Sequence, residues 1–232
     1  SILNSHLLAG ASLVMTESTF FDKSFWRLLD YTAASTFGGV PFSYEILRKL
    51  RFDRMELPSL KVLTQAGGKL SESLREEFVE LCATKSIRFF LMYGQAEATA
   101  RIAYVPWDRV GHYQDSVGVA IPGGYLSLED ESGAEIETAG LVGELVYRGE
   151  NVTMGYAEER SDLARGYDNK EILYTGDIAR LNEHGSFVLV GRKTRYIKLF
   201  GNRISLDEIE GLICSEAIDC ACLGSDDDLH IF

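Results

Sequence analysis

Along residues 1–106, apolar positions recur at helical and then at strand spacing. Phe25, Leu28 and Leu29 share one face of a helix that Asp22 can cap. Pro41 suits the first turn of a helix running through Leu50. Leu60-Lys61-Val62-Leu63 reads as a short strand that ends at Gly67-Gly68. The next helix starts near Ser71 or Ser73. Ser73 and Glu76 have the spacing of a capping box, and Leu74, Phe78, Leu81 and Cys82 make the apolar stripe. Ile87 to Met92 is almost continuously apolar, as expected of a strand buried on both faces. Strand and helix in alternation predict a parallel sheet, and such sheets bind ligands outside the carboxyl ends of their strands. Gly67-Gly68 and Tyr93-Gly94-Gln95-Ala96-Glu97 both sit at such ends.

The pattern changes after residue 110. Glycine becomes frequent, and Tyr125–Leu128, Gly143–Arg148, Ile178–Leu181 and Phe187–Val190 read as short antiparallel strands. Turns at Glu131-Ser132-Gly133 and His184-Gly185 separate them. Beyond Gly191-Arg192, Tyr196–Phe200 is a strand, Gly201-Asn202 a turn, and Ser205 with Glu208 caps a helix through Ile213. Leu229 to Phe232 reads as a strand. The predicted class is therefore α/β. Residues 1–109 form a parallel sheet with flanking helices, residues 110–190 a small antiparallel β-barrel, and residues 191–232 the start of a small α+β domain.

Composition narrows the function classes. A net charge of −12 over 232 residues argues against a nucleic-acid partner, which needs a basic face. It leaves room for a nucleotide, which needs only a few placed cations and backbone N–H groups. No apolar run approaches the ~20 residues of a membrane span. Cys82, Cys214, Cys220 and Cys222 match no zinc or redox motif, and they read as buried free thiols of a reducing compartment, the cytoplasm. His6, His112, His184 and His230 fit no ligand spacing. The chain opens without a methionine or a basic n-region and closes on a strand, so it is expected to be a piece of a longer protein.

Three short signals carry candidate chemistry. Gly67-Gly68 lets a flat ring approach the backbone, or is simply a tight turn. In Tyr93 to Glu97, the tyrosine can stack on a base and Glu97 can hold a divalent cation beside phosphates. The plain alternative is a solvated loop. In Tyr174-Thr175-Gly176-Asp177, the carboxylate can accept hydrogen bonds from both ribose hydroxyls, or can stabilise its own turn. Arg192 can reach the same sugar or a phosphate, or form a surface ion pair, and Lys198 reads most simply as a solvent-facing charge.

Taken in order, these residues resemble the adenylate-forming enzymes: acyl- and aryl-CoA synthetases, peptide-synthetase adenylation domains and luciferases. The resemblance runs from Val40 to Glu210. Besides the signals above, it rests on Gly143-Glu144-Leu145 with Gly149 and Gly155-Tyr156, and most specifically on the stretch from Gly191 to Glu210. It implies that Ala66, Gly67, Gly68 and Tyr93 frame the adenine and the acyl pocket, with Gly94, Gln95 and Ala96 in the nucleotide loop. Glu97 would hold Mg²⁺, and Asp177 and Arg192 the ribose. Lys198 and Gly201 would face the thiol-transfer step after a domain rotation about the residues following Gly191.

The implied reaction is ATP-dependent activation of a small carboxylic acid to an acyl-adenylate, then transfer to CoA or to the pantetheine of an acyl carrier protein. Ala96 stands where the family has Thr on the phosphate, and Thr194 where its hinge has Asp or Lys. These departures keep a non-catalytic nucleotide-binding homologue open. The family's phosphate loop and C-terminal lysine are not in the chain, which is therefore expected not to form an adenylate by itself.

Overall fold

The computed structural model describes residues 2–113, 115–199, 202–216, 218, 220–225 and 228–232. The chain divides into two compact units, Ser1–Ile121 and Pro122–Phe232.

The first unit comprises α1 (Ile2–Leu8), α2 (Lys23–Tyr31), β1 (Thr36–Gly39), α3 (Pro41–Lys49), β2 (Val62–Gln65), α4 (Glu72–Thr84), β3 (Arg88–Tyr93), β4 (Ala103–Val105) and β5 (Val119–Ala120). Its sheet has the order β1-β2-β3-β4-β5. The first three strands are parallel, as strand–helix alternation predicts, and β4 and β5 are antiparallel. The core lies on the face covered by α3 and α4. Tyr44, Leu47, Phe52, Leu63, Leu74, Phe78, Cys82 and Phe89 are buried together. Tyr44 and Phe78 meet edge to face at 4.9 Å. The Tyr44 hydroxyl donates to the Thr64 carbonyl at 2.7 Å, so its polar atom is satisfied inside the core.

Three local expectations are corrected. Asp22 does precede α2 but makes no side-chain cap. Its carboxylate accepts from the Thr19 N–H and hydroxyl instead, closing the turn before the helix. The N-cap of α4 is Ser71, so Ser73 and Glu76 lie inside the helix and form no capping box. The earlier start places both Leu70 and Leu74 in the core. β3 is sealed on one face only: Phe89 is buried, whereas Phe90, Leu91 and Met92 are half-buried and Phe90 packs beside Tyr104 of β4.

The second unit opens with β6 (Tyr125–Glu129), β7 (Val142–Arg148), β8 (Ile172–Leu181) and β9 (Phe187–Arg192), a four-stranded antiparallel meander in chain order. No β9–β6 pairing is formed among the described residues, so the strands expected to make a barrel form an open sheet here. Leu126 pairs with Tyr147 and Leu128 with Leu145, which puts one apolar face of the sheet in the core. On the other face Arg148 donates to Ser127 at 2.7 Å and pairs with the buried Glu129. β10 (Tyr196–Leu199), β11 (Asn202–Ser205), α5 (Leu206–Ser215), β12 (Cys222–Ser225) and β13 (Asp228–Ile231) follow. Ser205 caps α5 as expected, accepting from the Glu208 N–H at 3.3 Å. Ile197, Leu206 and Cys222 form a small separate core with Ile209 and Leu229.

Two backbone positions with positive φ make opposite predictions. Ser86 ends α4 at φ 55°, and Ile87 N–H returns to the Cys82 carbonyl, a Schellman closure normally given to glycine. Ser86→Gly is expected to raise the unfolding free energy by about 0.5–1 kcal/mol in denaturant titration. Gly118 sits at φ +82°, where an added Cβ would lie 2.1 Å from the Tyr104 carbonyl oxygen. Gly118→Ala is expected to cost about 2 kcal/mol or more. Equal midpoints for this variant and the parent would mean that the β4–β5 backbone gives way freely.

Candidate functional site

In the first unit, parallel pairing aligns three strand ends. Gly39 lies opposite Gln65, and Gln65 opposite Leu91. The loops after β1, β2 and β3 therefore leave the sheet at one edge. The loop after β2 is braced from below: Ala66 N–H donates to the Gly39 carbonyl at 3.1 Å, and the buried Gln65 donates its amide to the Gly68 carbonyl at 2.8 Å. Gly67 adopts φ +81°, and a Cβ on Gly68 would meet Pro41 at 3.1 Å. Glycine is thus needed here for both conformation and space, and the loop presents backbone instead of side chains.

The loop after β3 is tighter. A Cβ on Gly94 would lie 2.5 Å from the Ala100 carbonyl oxygen. The Gln95 carbonyl accepts from the N–H groups of Ala98 and Ala100, and Ile102 N–H returns to the Tyr93 carbonyl at 3.0 Å. Glu97 is half-buried within a single 3₁₀ turn, Ala96–Ala98. Thr99 and Ala100 follow at φ 51° and 66°, two consecutive left-handed residues that are not glycine. Such strain is held only where surrounding structure over-determines it, and it concentrates at functional loops. The expected residues Ala66, Gly67, Gly68, Tyr93, Gly94, Gln95, Ala96 and Glu97 therefore share one sheet edge.

In the second unit, Tyr174 to Asp177 lies inside β8 and not in a turn, because a bulge against β7 absorbs Gly176 at φ +69°. Asp177 is buried and faces Arg192 directly across β8 and β9, with Nε to Oδ1 at 2.8 Å. The resemblance implies that both meet one ribose, and the structure brings the two side chains together. Thr175 Oγ1 donates to the Leu145 carbonyl at 2.6 Å and accepts from Asp177 N–H at 3.1 Å.

Glu144, quoted in the motifs but given no role, joins the two segments. One oxygen accepts from Gly176 N–H at 3.1 Å and the other from Lys193 at 2.6 Å. Arg195 continues the chain of ion pairs to Asp207 at 2.5 Å and Glu210 at 2.6 Å, and Asp207 also accepts from the Arg192 N–H at 3.2 Å. The Cys222 N–H, and then the Arg195 guanidinium, hold Glu210 below the ordinary carboxylate range. Thr194 lies in the 3₁₀ turn between these anchors. Lys198 lies on β10 opposite Arg203, but its side chain and all of Gly201 fall outside the described residues. Among the described residues, no group of three or more His, Cys, Asp or Glu is arranged to hold a metal ion. No helix among them is long and apolar enough to cross a membrane.

The chain is similar to several known proteins. The medium-chain fatty-acid–CoA ligase of Escherichia coli (strain K12) is 27% identical over 206 residues, 89% of this chain and 36% of the ligase. A segment of the nonribosomal peptide synthetase atnA of Emericella nidulans is 31% identical over 137 residues, 53% of this chain and 2% of that protein. The o-succinylbenzoate CoA synthetase of Bacillus subtilis, solved with its acyl-adenylate intermediate, superposes with a TM-score of 0.80 at 19% identity, over 99% of this chain and 47% of that one. The same synthetase solved with ATP and a magnesium ion gives 0.79. The chain thus spans under half the length of these relatives. The family described as AMP-binding enzyme matches residues 1–157, and the chain belongs to that family.

Proposed function

We propose that the chain is part of a ligase that activates a carboxylic acid with ATP as an acyl-adenylate and passes the acyl group to a thiol, CoA in the first reading. The observation that carries this is the shared edge of the β2 and β3 loops. A side-chain-free Gly67-Gly68 surface lies in the loop after β2, and the neighbouring strand β3 ends at a tyrosine followed by a carboxylate, as a site for a flat base and a phosphate-bound cation requires. Membership of the AMP-binding family supports the nucleotide, and the CoA ligases among the relatives support the thiol.

In this reading Ala66, Gly67, Gly68 and Tyr93 frame the adenine and the acid, with Gly94, Gln95 and Ala96 in the nucleotide loop. Glu97 fits Mg²⁺ as a hard oxygen donor. With no ready-made cage among the described residues, Glu97 would hold the ion together with the nucleotide's phosphates and water, the usual way a protein shares Mg²⁺. The ion would neutralise phosphate charge. The protein's own work is to fix the acid and the α-phosphate against each other. Ala96 gives the phosphate no hydroxyl, and in this reading Thr99, exposed at the end of the same turn, or a water supplies one. Asp177 and Arg192 hold the ribose, Arg192 oriented by its pairing to the buried carboxylate. Lys198 and Gly201 serve thiol transfer. The three-part division at residues 109 and 190 is proposed with the same assignment. The peptide-synthetase relative supports a second acceptor, a carrier-bound pantetheine.

ATP–pyrophosphate exchange with a panel of carboxylic acids tests the reading in the intact protein, and exchange with no acid would overturn it. Supplying CoA or a pantetheinylated carrier then separates the two acceptors. Asp177→Ala is expected to weaken ATP binding by roughly 1.5–3 kcal/mol, the loss of a charged hydrogen bond. Unchanged affinity by calorimetry on folded protein would leave Asp177 only as the anchor of Arg192. Lys198→Ala is expected to spare pyrophosphate exchange and depress thioester formation, because rotation about a hinge selects between discrete arrangements. Equal consumption of pre-formed acyl-adenylate by mutant and parent would remove Lys198 from the thiol step.

A further inference from the structure

Glu144 has no part in the proposed chemistry, yet it bonds to a neighbour of each residue assigned to the ribose. Its Oε1 accepts from the Gly176 N–H at 3.1 Å, one residue before Asp177, and its Oε2 accepts from Lys193 at 2.6 Å, one residue after Arg192. Asp177 and Arg192 are themselves joined at 2.8 Å. One carboxylate on β7 therefore reaches β8 and the residue that follows β9.

The bulge shows what the first contact does. Between Val146 and Glu144 of β7, β8 runs from Tyr174 to Ile178, so Thr175, Gly176 and Asp177 stand opposite Leu145 alone. Such a bulge interrupts the ladder and re-aims a side chain. Thr175 Oγ1 closes it on one side, through the Leu145 carbonyl and the Asp177 N–H, and Glu144 closes it at the Gly176 N–H. Gly176, at φ +69° and with nothing within 4 Å of an added Cβ, is not held by side-chain packing, so this hydrogen bond is what fixes its conformation. The second contact orients Glu144. The Lys193 side chain is 59% exposed and that of Glu144 14%, so solvent at the lysine limits what the ion pair is worth by itself.

We propose that Glu144 is a positioning residue for ribose recognition. Through the Gly176 N–H it fixes the bulge that aims Asp177, with Arg192 beside it, at the two ribose hydroxyls. The inference rests on the ribose assignment of Asp177 and Arg192 made above. Its consequence is selectivity. A carboxylate aimed at both hydroxyls rejects 2′-deoxyATP, because that analogue leaves part of the site unpaired, whereas a carboxylate free to turn away accepts both nucleotides alike. The ribose takes no part in bond making, so the loss falls on KM for ATP and leaves kcat near the parent's.

The test compares the affinities of the intact protein for ATP and 2′-deoxyATP by calorimetry. Glu144→Ala is expected to weaken ATP binding about tenfold and to bring the two affinities within about twofold of each other, the same loss of preference expected of Asp177→Ala. Glu144→Gln keeps an oxygen that can accept from Gly176 and is expected to recover most of the preference. Lys193→Met is expected to keep it. Glu144→Asp retains the charge but draws the carboxylate back by a methylene, and it is expected to lose the preference even if the alanine variant does not fold. A Glu144→Ala or Glu144→Asp protein with its preference intact, a glutamine variant as poor as alanine, or a Lys193→Met protein that behaves like Glu144→Ala would each overturn the inference and leave the ribose assignment standing. An unchanged preference in Asp177→Ala would overturn that assignment, and this inference with it.

Discussion

Parallel pairing of β1, β2 and β3 is the constraint on which the first unit's site depends. Once Gly39, Gln65 and Leu91 are in register, three loops must leave the sheet together, whatever their sequences. The register is secured from the covered face, where Leu63 and Phe89 pack with Tyr44 and Phe78, and by the Tyr44 hydroxyl on the Thr64 carbonyl. Core packing and loop placement are therefore one problem. A change that loosens α3 from the sheet also moves Pro41, and with it the wall behind Gly68.

Backbone crowding then decides which residues the loops can carry. The chain returns from β3 to β4 so sharply that the Ala100 carbonyl touches the space above Gly94. The return needs two left-handed residues in succession, and Thr99 and Ala100 take them without being glycine. The strain is offset by the hydrogen bonds that the Gln95 carbonyl collects and by the antiparallel pairing of Tyr93 with Ala103. Glu97 lies in the middle of this braced turn, so its backbone position is fixed by the same hydrogen bonds.

What could be read in the sequence follows from this. Strand ends were legible because an apolar run stopping at glycine leaves the chain few options, as at Gly67 and at Tyr93-Gly94. The parallel order followed from alternation. Features that depend on distant residues were not legible. Gly176 read as a turn because nothing local reveals that Glu144, thirty-two residues earlier, accepts its N–H and keeps β8 continuous through a bulge. Ser73 and Glu76 had the spacing of a cap, but the core drew Leu70 inward and moved the helix start to Ser71.

The second unit places its charge by pairing. Arg192, Lys193 and Arg195 are nearly consecutive, yet each turns to a different acid: Asp177 on β8, Glu144 on β7, and Asp207 with Glu210 on α5. Each pair joins a partly exposed cation to a partly or largely sheltered carboxylate, and solvent at the cation limits what any one of them is worth. Together they bind one short segment both to the meander and to the helix that follows. Thr194 sits in the middle of that segment with no charge of its own. A charged residue at that position would compete for the same partners, whereas threonine leaves Lys193 and Arg195 to divide them. The segment after Gly191 is thus tied to the meander and to α5 by pairs on either side of Thr194, and such pairs weaken as salt rises.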